Sequence, residues 1–164
     1  MFILSECILF IFIVLFDNQY LKYFSIMLCF FYSLYKKSGY GVMVVVLIAD
    51  YCLLLRNYYC IGVFLFIIIQ CMYSYILTRQ VNILLLLVGL FPCLEIIGIC
   101  YAIMSACNIF IAYRKHHWLL ITLITLAICD ILVCVQYIYH MYIPILWLPY
   151  LFSQVYYVKM VSSK

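Results

Sequence analysis

Eight apolar runs follow one another along the chain, near residues 2–16, 20–35, 41–55, 59–77, 81–91, 93–113, 118–139 and 142–158, and almost nothing but short connections lies between them. Runs of this length and spacing have one common solution, a bundle of helices that satisfy their own backbone hydrogen bonds while facing lipid. The composition agrees: 72% of residues are hydrophobic and 9% charged, too few polar groups to cover a water-soluble core. The expected fold class is therefore all-α, a polytopic transmembrane helical bundle, read as one integral membrane domain over residues 1–164.

Eight short helices are expected, with seven as the alternative. The run "VNILLLLVGLFP" decides between them, because about 11 residues make half a span or fuse with the next run through Pro92. Charge favours eight. With eight crossings Lys36, Lys37, Arg79, Arg114, Lys115, Lys159 and Lys164 fall on one side, and Arg56 with Asp17 on the other. Cytoplasmic connections collect Lys and Arg, so both termini are expected in the cytoplasm. The net charge of +4 reports this orientation, and no basic stripe suggests a nucleic-acid partner.

The first segment lacks a basic leader and a small-residue cleavage site, and reads as a retained helix. The ten cysteines lie mostly inside apolar runs and form no C-x-x-C pair, which makes them small hydrophobes with no metal site expected. Gly98, Ala102 and Ala106 recur every four residues, the spacing that lets helix backbones approach closely in lipid. His116 and His117 sit beside Arg114 and Lys115 in a connection and are not proposed as ligands.

Two acids lack so plain an explanation. "VMVVVLIADYCLLLR" carries Asp50, and "LITLAICDILVCVQY" carries Asp130. A charged side chain at membrane depth costs roughly 2.5–3.5 kcal/mol on insertion scales, so such residues mark cavities, ion pairs or protonated acids. Lys22 opens the second run, and Gln70 and Tyr73 lie one turn apart in the fourth; with the two aspartates they can share one depth if the bundle brings these helices together. The structural alternative is an ion pair between Lys22 and one aspartate. One cation for two acids leaves a surplus carboxyl, however, and desolvation beside a like charge holds one acid protonated. A protonated acid beside an ionised one is a general acid–base arrangement. Glu6 and Glu95 are weaker candidates, since each is read as reaching the interface.

These residues carry a resemblance to the YhhN-type lysoplasmalogenase family. "LKYFSIMLCFFYSL" resembles the family's Lys-led second helix, "IADYCLLLRNYYCIGVFLFIIIQCMYSY" its Asp-containing third and polar fourth helices, "LAICDILVCVQY" its late Asp helix, and "ILWLPYLFSQVYYVKMVSS" the closing helix of short Firmicutes-type members. The departures are Tyr23 where many members have proline, Gln70 where many have histidine, and Ala49 and Cys129 before the aspartates. The resemblance implies eight helices in a bacterial cell membrane and hydrolysis of the vinyl ether of a lysophospholipid-type substrate drawn from the bilayer. It implies Asp50 and Asp130 as the catalytic pair, with Lys22 supporting and Gln70 and Tyr73 lining the site. Neither metal nor organic cofactor is needed for that chemistry. Two other classes stay open at this point, a small-solute transport or substrate-capture subunit and a non-catalytic relic of the family.

Overall fold

A computed structural model describes residues 2–56, 58–80, 93–139 and 144–163. Among these residues the chain is all-helical, with seven α-helices: α1 (Phe2–Phe16), α2 (Gln19–Tyr35), α3 (Tyr40–Asp50), α4 (Tyr59–Thr78), α5 (Leu94–Arg114), α6 (Leu119–Tyr139) and α7 (Trp147–Ser162). A π-helical segment, Tyr51–Leu55, continues α3, and a 3-10 turn, Pro144–Leu146, precedes α7. The expected run 81–91 lies outside the described residues, so seven of the eight expected helices are seen. Three stretches, Tyr59–Thr78, Leu94–Arg114 and Leu119–Gln136, are long and apolar enough to cross a membrane, which marks the chain as a membrane protein.

The helices end where the sequence supplies a cap. Asn18 accepts the amide of Tyr20 at 2.8 Å and so opens α2, while Asp17, at φ 43°, closes α1. Lys37, Arg79 and His116 also have positive φ at helix C-termini, where the left-handed residue lets the last carbonyls find partners and positive charge meets the negative end of the dipole. Basic connections thus serve local structure as well as orientation. The last helix begins at Trp147 and runs to Ser162, later at both ends than expected. The shift puts Pro149 in its first turn, where a missing amide hydrogen costs nothing.

The contacts gather into two units, residues 1–39 with 121–164, and residues 40–120. In the first unit α1 and α2 are antiparallel: the Phe2 and Tyr32 rings stack 4.1 Å apart, and Lys22 at the far end pairs with Asp17. By contrast, α2 and α7 run the same way. Lys22 lies over the Trp147 ring, and the Ser38 hydroxyl donates to the Val161 carbonyl at 2.9 Å. Gly39 follows at φ 71°, and a Cβ there would stand 3.0 Å from Val161 Cγ1. Only glycine combines that backbone with so close a neighbour. Phe2, Lys36 and Lys159 consequently share one end of the unit.

In the second unit α3 with its π extension and α4 form an antiparallel pair, and a Cβ on Gly62 would strike the Leu53 side chain. The next pair is different. Phe66 meets Tyr101 edge-on at 6.2 Å, Asn108 bonds Gln70, and the Lys115 ammonium donates to the Leu77 carbonyl. Partner numbers rise together, so α4 and α5 are parallel. Ile67, Cys71, Ile97, Cys100 and Met104 fill the seam between them. Arg79, Arg114 and Lys115 therefore share one end of this pair, and Arg56 and Glu95 the other.

The small residues of α5 do not form that seam. Ala102 and Ala106 are exposed, and among the described residues a Cβ on Gly98 would meet no atom within 4 Å. The expected close approach is replaced by meshing of larger side chains on the face of Ile97, Cys100 and Met104. Elsewhere apolar side chains such as Ile99, Phe110 and Ile131 are more than half exposed, as a lipid-facing surface requires.

Candidate functional site

Asp50 is the last residue of α3 and directly precedes its π segment. Its exposure is 3%, in a helix whose neighbouring inward residues, Val46 and Ala49, are wholly buried and apolar. The carboxyl does not cap the widened turn. Ten residues after Tyr40, it lies about 15 Å along the helix. A π turn inserts one residue into the α ladder and recurs at functional positions. Here it directly follows the only acid of the helix.

Gln70 and Tyr73 belong to the same unit as Asp50, and both are fully buried on α4. Asn108 of α5 reaches Gln70 twice, donating to its backbone carbonyl at 2.9 Å and to its side-chain Oε1 at 2.8 Å. The Gln70 side chain is thus engaged by α5 and not by an aspartate. Its Nε2, and the Ser105 hydroxyl one turn before Asn108, are buried without a hydrogen-bond partner among the described residues. The α3–α4 register sets Gln70 about two turns nearer the basic end than Asp50, roughly 10 Å along the axes.

Asp130 and Lys22 belong to the other unit. Asp130 is half-buried on α6, next to Cys129, whose thiol donates to the Leu146 carbonyl at 3.6 Å. The Lys22 ammonium forms its salt bridge with Asp17 across the α1–α2 turn and stands 5.9 Å from the centre of the Trp147 ring. An acid that the sequence places in a connection thus neutralises Lys22, because the tight Asp17–Asn18 turn returns the chain within reach.

The expected interfacial position of Glu6 is not what the structure shows. It is 3% exposed, accepting the Ser25 hydroxyl at 2.7 Å and the Cys29 thiol at 3.7 Å. The signal was present, since Ser25, Cys29 and Ser33 recur every four residues of α2 and are all fully buried. A stripe of small hydrogen-bonding side chains on one apolar helix announces a polar partner opposite. Asn108, alone of its kind in α5, was legible in the same way.

Among the described residues no three His, Cys, Asp or Glu side chains come together as a metal site. No family model matches the chain, and no curated protein or solved structure matches it either.

Proposed function

We propose that the chain is an eight-crossing membrane hydrolase that cleaves the vinyl ether of lysoplasmalogens through Asp50 and Asp130. One observation carries the reading: a carboxylate buried in an apolar helix, set where that helix departs into π geometry. Intramembrane acids are costly and are kept for chemistry, transport or packing. A π insertion at the same position favours chemistry.

The topology is supported by the parallel direction of α4 and α5. Two consecutive parallel helices require the chain to return between them, across a distance of about 27 Å for 18 residues of rise. An eight-crossing chain meets that requirement, and a seven-crossing one does not. Basic residues then gather at one end in each unit, which fits both termini in the cytoplasm of a cell membrane.

In the proposed reaction a protonated carboxyl delivers its proton to the vinyl carbon distal to the ether oxygen, forming the C–H bond and leaving an oxocarbenium ion. The ionised partner stabilises that cation and takes a proton from attacking water. The resulting hemiacetal collapses to a fatty aldehyde and a chain-free glycerophosphodiester. Gln70 and Tyr73, two turns or more from Asp50 along the α3–α4 pair, and Lys22 keep the supporting roles that the resemblance implies.

A second reading, a non-catalytic packing protein, is favoured by Glu6. This chain already holds one carboxyl in its interior by local hydrogen bonds. Fatty-aldehyde release by purified protein from lysoplasmalogens, beside ester- and alkyl-linked lysophospholipids, separates the two. Release confined to the vinyl ether supports the hydrolase, and no release from any of the three leaves the packing role.

A further inference from the structure

At the basic end of the first unit, the start of α1, the end of α2 and the last turn of α7 enclose a cleft of about 340 Å³. Phe2, Ile3, Tyr32, Tyr35, Lys36 and Lys159 line it. Two lysines from different helices line it, and among the described residues no acid does. Among the described residues neither lysine has a salt bridge. Lys36 instead rests on aromatic faces, 5.9 Å from the Tyr32 ring centre and 5.6 Å from that of Tyr35. Phe2 and Ile3 open α1, so the positive end of a helix points the same way.

Positive charge without an ion pair among the described residues, set over an aromatic floor and open beside apolar side chains, matches one ligand chemistry. A phosphate takes hydrogen bonds from both ammoniums, while an acyl chain follows Phe2 and Ile3 out of the cleft. We propose that this cleft binds the headgroup of an anionic phospholipid, fixing the ends of α1, α2 and α7 at the membrane surface. Basic pockets between transmembrane helices on the cytoplasmic side recognise such headgroups. The site is separate from the proposed chemistry and does not depend on it.

Native mass spectrometry of the full-length chain in maltoside detergent tests this, with dioctanoyl phosphatidylglycerol and dioctanoyl phosphatidylcholine supplied at equal concentration. One phosphatidylglycerol should be retained per chain in clear preference to phosphatidylcholine. Lys36→Gln and Lys159→Gln should each weaken retention about fivefold, the effect of one lysine near an anionic surface. Lys37→Gln removes the same charge just outside the cleft and should leave retention unchanged. Equal retention of the two lipids by the unaltered chain would overturn the proposal. So would an equal loss in Lys37→Gln, which would reveal general surface charge, or displacement of the lipid by an equal concentration of inorganic phosphate, which would reveal a bare anion site.

Discussion

Glu6 and Asp50 are equally buried, each 3% exposed in an apolar helix, yet the backbone that carries them differs. Glu6 sits in regular α-helix and is met by a hydroxyl and a thiol one turn apart on α2. Asp50 sits at a break in helical geometry, flanked by Val46 and Ala49. Burial alone does not mark a functional acid. An acid in regular helix on a packed seam belongs to the packing, and one placed where the helix changes geometry is a candidate for chemistry.

The contrast is broken or sharpened most strongly by activity. Asp50→Asn should lower aldehyde release by a factor of about 100 or more, the usual worth of a positioned acid or base, while Glu6→Gln keeps most of it. Comparable losses in both would erase the distinction. On stability the order reverses. Glu6→Ala removes the acceptor of Ser25 and Cys29 and opens a gap against α2, at a cost of about 2–3 kcal/mol, read as a drop in thermal midpoint in detergent. Asp50→Asn is nearly isosteric and should leave that midpoint close to the unaltered protein's.

Asn108→Ala tests the second unit in the same terms. It strips Gln70 of both hydrogen bonds from Asn108 and should cost roughly 1 kcal/mol, the scale of a hydrogen bond between membrane helices, with a weaker seam between α4 and α5. The smallest effect belongs to Lys22→Met. Its partner Asp17 is 46% exposed, and pairs so open to solvent contribute about 0–1 kcal/mol. A large loss of stability there would mean that Lys22 answers a buried acid after all.

The helices themselves were legible, because apolar runs and their caps are local. Asp17–Asn18, the Lys36–Gly39 turn, Arg79 and Lys115–His116 each end or begin a helix where the sequence changes character. What the sequence concealed depends on partners far along the chain. Ser25 and Cys29 lie 19 and 23 residues from Glu6, and Asn108 lies 38 from Gln70, so the burial of Glu6 and the use of Gln70 follow only from which helix faces which. The packing of α5 turned on the same point. Gly98, Ala102 and Ala106 have the spacing of a helix contact, but the adjoining face of Ile97, Cys100 and Met104 meshes with α4. Spacing names the faces a helix has, and volume complementarity selects the one it uses.

Parallel α4 and α5 are the foundation of the eight-crossing topology and of the depth assigned to Asp50. Reporter fusions after Arg79 and after Lys115 test this most directly, since each residue closes one of the two helices. Both fusions should read cytoplasmic, as should a fusion after Lys37. A cytoplasmic signal after Arg79 with an external one after Lys115 would contradict the parallel pair, and with it the eight crossings.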